Sequence, residues 1–235
     1  MKLIENFKKL GLGIAELIFP IYCLVCGIDG KFLCENCFQT LERLPNQLCI
    51  SCQKPVPFGK THPDCSSKNK LDGIISALPY SNPKVANLIE TYKYKFINEL
   101  SPDFSNFILE AVTNQGLTGY FQDFIIMPVP LHKRRFAWRG FNQAELLARQ
   151  LSKDLSIPAD SDLVKRIKFT TPQTTLKKEK RLENIQNAFG VTKPVSGKYL
   201  LVDDVVTTGA TLNEIAKQLK KSGATEVWAV TVAHG

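Results

Sequence analysis

The sequence predicts an α/β protein with a mostly parallel sheet and a small cysteine-rich appendage at its N-terminal end. Three observations predict it. Short apolar runs, each followed by apolar residues at helical spacing, recur from Leu71 to the end of the chain, as in open parallel sheets covered by helices on both faces. Two strand-to-helix turns, PVPLHKRR and DDVVTTGAT, concentrate charge and hydroxyls where such sheets bind ligands, beyond the carboxyl ends of their strands. All seven cysteines lie between Cys23 and Cys65. A chain of 235 residues holds one α/β domain and such an appendage, with the division expected at 1–70 and 71–235. The hydrophobic fraction of 44% is ordinary for a globular protein, whereas a net charge of +8 and a pI of about 9.1 favour polyanionic partners, nucleic acid or phosphorylated small molecules.

Residues 1–19 read as a short amphipathic helix with Leu3, Phe7, Leu10, Ile14, Leu17 and Ile18 on one side. Glu5, Lys8, Lys9 and Glu16 interrupt the run, which therefore falls short of the ~20 apolar residues of a membrane span. No small-residue cleavage site follows, so a secretion signal is not expected. The cysteines pair as Cys23-x-x-Cys26, Cys34-x-x-Cys37 and Cys49-x-x-Cys52, with His62-x-x-Cys65 as a fourth knuckle. Eight such donors suffice for two tetrahedral zinc sites. An odd cysteine count, a histidine in one partner position and no secretion signal all favour metal over disulfides. Sequential pairing groups Cys23, Cys26, Cys34 and Cys37 around one ion and Cys49, Cys52, His62 and Cys65 around the other. A cross-braced grouping is the alternative. With four protein ligands each, both ions would be structural.

A polar linker, SSKNK (Ser66 to Lys70), precedes the second part. Ile74 to Tyr80 reads as a strand. Pro83 starts a helix whose Val85, Leu88, Ile89, Tyr92 and Phe96 face inward, with Lys84, Lys93 and Lys95 on an opposite, solvated face. A second helix carries Phe104, Phe107, Ile108, Ala111 and Val112 inward and ends near Gly116 and Gly119. The segment from Leu71 to Gly119 is expected as a hood or flanking layer.

Phe124 to Val129 is the next strand. It runs into Pro128-Val129-Pro130-Leu131-His132-Lys133-Arg134-Arg135, a basic turn suited to a pyrophosphate. Asn142 and Glu145 look like a helix cap and its acid, ahead of Ala144, Leu147, Ala148, Leu151 and Leu155. The stretch from Thr170 to Thr175, followed by Lys177, Lys178, Lys180 and Arg181, is too polar for a core element.

The last turn is the most specific. The apolar run Tyr199 to Val202 ends on Asp203 and Asp204; then Val205-Val206-Thr207-Thr208-Gly209-Ala210-Thr211 leads into a helix with Leu212, Ile215, Ala216 and Leu219 on one stripe. Free backbone N–H groups and the helix dipole form an anion site there. Gly209 permits close approach of the backbone, and Thr207, Thr208 and Thr211 add hydroxyl donors. An adjacent acid pair suits the hydroxyls of an attached sugar. The chain has no GxxxxGK[ST] loop. Glu226 to Val232 is the final strand.

This turn resembles the motif by which type I phosphoribosyltransferases bind 5-phosphoribosyl 1-pyrophosphate (PRPP). The resemblance implies a Rossmann-like, mostly parallel sheet with Asp203 and Asp204 on the ribose hydroxyls and Thr207, Thr208, Gly209, Ala210 and Thr211 around the 5′-phosphate. It also implies magnesium bound with PRPP, and a mobile loop over the site with Arg181 as a catalytic candidate and Arg166 near the loop base. PVPLHKRRFAWRGFNQAELLA, RIKFTTPQTTLKKEKRLENIQNAF and the N-terminal knuckles together resemble the ComF (ComFC) family, competence-associated phosphoribosyltransferase-like proteins, over nearly the whole chain. That family more usually has a cysteine where this chain has His62.

Two readings follow. In the first, a nucleophilic nitrogen displaces magnesium pyrophosphate from C1 of PRPP, with Lys133, Arg134 and Arg135 on the pyrophosphate. In the second, a non-catalytic module uses its phosphate cleft and basic turns on single-stranded DNA, with Phe136, Trp138 and Phe141 available to stack bases. The family resemblance implies a cytoplasmic role in natural transformation, alongside a DNA translocase or helicase of the uptake machinery.

Overall fold

The computed structural model describes residues 21–66, 71–94, 97–168 and 185–235. Its centre is a four-stranded, all-parallel sheet. The strands are β1 (Gly73–Pro79), β2 (Phe124–Pro128), β5 (Lys198–Val206) and β6 (Glu226–His234), in the order β1-β6-β5-β2. The two inner strands are buried on both faces along most of their length, as covering by two layers requires. The hydroxyls of Ser76 and Thr231 meet side by side in adjacent strands and satisfy each other at 2.7 Å. A separate antiparallel ribbon joins β3 (Val164–Arg166) to β4 (Phe189–Val191).

Each face of the sheet has its own core. One is built by α3 (Pro83–Tyr94), α4 (Ser101–Asn114) and α6 (Gln143–Leu155), which bury Val85, Leu88, Ile89, Phe104, Phe107, Leu147 and Leu151. The other is built by α7 (Ala210–Lys221) and the β3–β4 ribbon, which bury Leu212, Ile215, Leu219, Val164 and Phe189. The apolar repeats read from the sequence thus mark the packed stripes of these helices.

The cysteine-rich segment packs onto this body on both faces. Cys23, Leu33, Cys37 and Leu41 join the first core. Beside them, Phe38, in α1 (Glu35–Thr40), stacks on Phe107 at 4.2 Å. Arg43 lies over both rings and pairs with Glu110 at 2.8 Å. Ile50 joins the second core. Residues between them cover the outer edge of β1: Leu44 donates its N–H to the Ala77 carbonyl, and Lys60 bridges Gly73. The Gln47 amide donates to the Ser76 carbonyl at 3.0 Å and accepts from the Ser76 N–H at 2.8 Å. The unpaired rim of an edge strand is thereby closed within the chain.

Residues 71–119 are the flanking layer rather than a hood: their helices cover one face, and their strand β1 joins the sheet. Two elements differ from the sequence reading. β5 does not stop at Val202 but continues through both aspartates to Val206, because its ladder with β6 persists to His234. The basic residues after β2 are not a loop; they coil into α5 (Lys133–Arg139), capped by the His132 ring, whose Nδ1 accepts from the Arg134 N–H. The expected helix at 1–19, the linker to Lys70, Lys95, Phe96 and the stretch from Thr170 through Arg181 lie outside the described residues. Among the described residues no helix is long and apolar enough to cross a membrane.

Replacing Gln47 by Ala leaves the Ser76 N–H and C=O without their partners in a buried edge. Loss of about 2 kcal/mol of unfolding free energy is expected from urea titration; an unchanged midpoint would mean the edge is not sealed by this side chain.

Candidate functional site

The site opens where β2 ends. Pro128 is the last residue of β2 and stands beside Val202; Val129 then donates once more, to the Val202 carbonyl. A proline cannot donate to a ladder and sits at strand ends for that reason. Beyond Val202, β5 is flanked by β6 alone among the described residues, and the acid pair occupies this opening.

Strand alternation sends the two carboxylates to opposite faces. Asp204 follows Leu200 and Val202 into the layer of α3 and α6 and is 3% exposed. There Lys93 Nζ lies 2.7 Å from its Oδ1, and the Gln143 amide donates to its Oδ2 at 2.9 Å. Arg139 in turn donates to Gln143 Oε1 at 2.9 Å, and its guanidinium lies over the Tyr94 ring at 4.8 Å. For Lys93, burial opposes the charged form, but the Asp204 carboxylate outweighs it and raises its pKa. Asp203 follows Tyr199 and Leu201 toward the face of α7. Its Oδ1 accepts the backbone N–H of Asp204 at 2.9 Å. Burial, and then the charge of Asp204, push the Asp203 carboxyl up to about 7, against the pull of Lys93 and Arg166.

Cations crowd the other side of the opening. Arg166, on β3, has its pKa brought down to about 10 by burial and by Arg135. Arg135 is lowered by burial and by Arg139. The His132 imidazole is lowered by desolvation and then by Arg166, Arg134, Arg135 and Lys133. Like charges held this close favour an anion among them.

The turn after β5 supplies the third wall. Gly209 is buried in the left-handed region, φ +69°, and α7 begins at the next residue. Thr208 Oγ1 accepts from the Ala210 N–H at 3.4 Å, and Thr207, Thr208 and Thr211 are half-buried around the helix start. The first turn of α7 carries no acid, while Lys220 and Lys221 stand in its last turn. The positive end of the dipole therefore faces the opening without internal compensation.

The cysteine knuckles close into two groups by sequential pairing. Cys23, Cys26, Cys34 and Cys37 place their sulfurs within 4.8 Å of one another, and the sulfurs of Cys49, Cys52 and Cys65 with a ring nitrogen of His62 do the same. Cys52 Sγ is 3.3 Å from His62 Nδ1, and Cys26 Sγ is 3.7 Å from Cys34 Sγ. The donor sets fit tetrahedral zinc. Although burial opposes ionisation of Cys23, backbone N–H groups from Cys34, Cys26 and Val25 bring it down to about 6; burial and the neighbouring sulfurs push Cys37 up to about 12. A divalent cation removes that conflict by holding all four as thiolates.

Sequence reasoning identified the acid pair, the threonine turn, the basic segment and the knuckles, and the structure brings the first three to one opening. It missed Lys93, Gln143 and Arg139. Lys93 is not on a solvated face: it is paired with Asp204, whereas Lys84 is exposed as expected. The signal was present, since Lys93 lies four residues beyond Ile89 on the same helical row, and its long stem carries the ammonium past the apolar layer. Arg181 lies outside the described residues.

Comparison with known proteins finds two family matches. A double zinc ribbon domain matches residues 14–66, and a phosphoribosyl transferase domain matches residues 139–235. Competence protein F of Haemophilus influenzae is 33% identical over 220 residues, covering 84% of this chain and 94% of that protein. The DNA utilization protein YhgH of Escherichia coli K12 is 34% identical over 215 residues, covering 88% of each. Competence protein ComFC of Streptococcus pneumoniae is 29% identical over 204 residues, covering 85% of this chain and 86% of that protein.

Elemental analysis of purified protein should give about two zinc ions per chain, and His62→Ala should reduce this to about one while the first group keeps its metal. Retention of both ions by the variant would remove His62 from the ligand set.

Proposed function

Because the chain belongs to the ComF (ComFC) family, with a phosphoribosyltransferase fold behind a double zinc ribbon, we propose that it binds PRPP with magnesium at the carboxyl end of β5 and acts in DNA uptake. The observation that carries this reading is the meeting of three walls at one opening: an acid pair, a helix start with hydroxyls, and a bank of cations. The ribose hydroxyls donate to the carboxylates, Asp203 foremost, since Asp204 is engaged by Lys93 and Gln143. The 5′-phosphate sits at the start of α7 between Thr207 and Thr211. The pyrophosphate faces Lys133, Arg134 and Arg135. Magnesium, when bound with it, neutralises the charge that develops there.

Transfer then breaks the bond between C1 and the pyrophosphate oxygen, which leaves with the electron pair, while a nitrogen nucleophile bonds to C1 and loses its proton. Arg166 and the α5 cations stabilise the departing charge. By resemblance, Arg181 is a catalytic candidate for this step. In this reading the protein works in the cytoplasm beside a DNA translocase or helicase of the uptake machinery. In the non-catalytic form of the same reading, PRPP occupancy signals nucleotide supply to the uptake machinery.

A second reading has its own observation. Phe136 and Trp138 are exposed, Trp138 by 71%, on the helix that carries Lys133 and Arg134. Basic side chains interleaved with exposed aromatics suit single-stranded DNA, with bases stacked on the rings and phosphates on the cations.

Isothermal titration of Mg-PRPP into zinc-loaded protein should give saturable binding that is lost in Asp203→Asn and in Asp203→Ala/Asp204→Ala. The single variant is included because the double one strips a buried partner from Lys93. The ionised Asp203 accepts the hydroxyls, so affinity rises with pH through about 7 and falls by up to tenfold per unit below it. Well-folded protein that binds no PRPP but binds single-stranded DNA, with a steep loss as salt rises, would decide for the second reading.

A further inference from the structure

The second metal knuckle touches the phosphate turn directly, and this contact carries an inference that rests on the PRPP reading. Ile50 follows Cys49 in the knuckle and is 2% exposed. It belongs to the core that includes Val206, Ala210 and Leu212, the residues that bracket the threonine turn. A Cβ added to Gly209 would lie 2.3 Å from Ile50 Cγ1 and 2.4 Å from its Cδ1. The glycine is therefore required twice over: by a left-handed φ and by a side chain seated where a methyl group would stand.

The seat of Ile50 is fixed by the knuckle around it. Cys49 donates its N–H to the Lys54 carbonyl, and Gln53 donates its N–H to the Cys49 carbonyl, each at 2.9 Å. Gln53 itself holds a left-handed φ of 60°. Its amide donates to the Ile50 carbonyl at 3.1 Å, and its Oε1 lies 2.7 Å from His234 Nε2. His234 stands beside Val206 in the β5–β6 ladder, and Gly235 donates to the Val206 carbonyl. One tight turn, closed by Cys49 and Cys52, is thus tied to the strand end before the threonine turn and packed onto the glycine within it.

We propose that Ile50 is a positioning residue for the phosphate turn, through which metal binding at Cys49, Cys52, His62 and Cys65 is coupled to PRPP binding. The knuckle presses the turn into the conformation that aims its N–H groups at the opening, without itself touching ligand. Loss of the second ion frees Ile50, and the turn then populates conformations that must be reordered on binding, which lowers the apparent affinity. The first metal group, packed on the opposite face against α4, has no such contact among the described residues.

The test compares Ile50→Ala, Ile50→Val and Leu33→Ala, the last removing a similar buried side chain from the first knuckle. Each is read by zinc content, melting temperature, amide hydrogen exchange at residues 207–211 and Mg-PRPP titration. Ile50→Ala should keep both ions, speed exchange at 207–211 at least tenfold and weaken Mg-PRPP binding at least fivefold. Ile50→Val should restore both readouts toward the parent. Leu33→Ala should lower the melting temperature with neither effect. Unchanged exchange at 207–211 in Ile50→Ala, or equal acceleration in Leu33→Ala, would overturn the proposal. Should the parent protein bind no PRPP, the functional reading fails, while the exchange measurement still decides whether Ile50 positions the turn.

Discussion

The ion pair between Lys93 and Asp204 is the contact on which the site depends. It joins a helix of the first layer to the strand that carries the acid pair. Gln143 and Arg139 extend it to α6 and α5, so four elements meet at one buried carboxylate. Removing one partner of such a pair leaves an uncompensated buried charge, at a cost of about 3–5 kcal/mol. The pair therefore specifies a geometry more than it adds stability. Burial, and then the neighbouring Asp204 carboxylate, raise the carboxyl of Asp203 to about 7. For a carboxyl raised in this way, the folded state loses stability as pH climbs from the ordinary aspartate range toward 7. The molecule carries that conflict at the opening beyond Val202.

The metal segment belongs to the same arrangement. Its ligand sets supply much of the energy that orders it. Once ordered, it contributes Cys37 and Leu41 to one face of the sheet, Ile50 to the other, and Gln47 to the edge between them. A zinc ribbon that merely hung from the body would need none of these contacts. Its second knuckle sits against Gly209, so the metal-ligand group and the threonine turn are neighbours across a single isoleucine.

Much of this was legible in the sequence because local rules set it. The stripe of Leu212, Ile215, Ala216 and Leu219 is periodic, and paired cysteines announce their ligand role by spacing. What was not legible is what tertiary contact decides. Lys93 reads as solvated because hydropathy scores its ammonium and not its stem. The length of β5 depended on a neighbour, β6, that holds its ladder past two aspartates. The basic residues of α5 coil because Gly140, at φ +75°, and Asn142 allow one helix to end and another to begin within three residues. The seat of Ile50 on Gly209 joins segments far apart in the chain, and no local pattern marks it.

The most direct measurement is a carbon-13 NMR titration of the aspartate carboxyls in zinc-loaded protein. The account predicts one carboxyl with a midpoint near 7 that is absent from Asp203→Asn and shifts on addition of Mg-PRPP. If every aspartate carboxyl titrates in the ordinary range near 4, the acid pair is not poised by its buried partner and the account of the site fails.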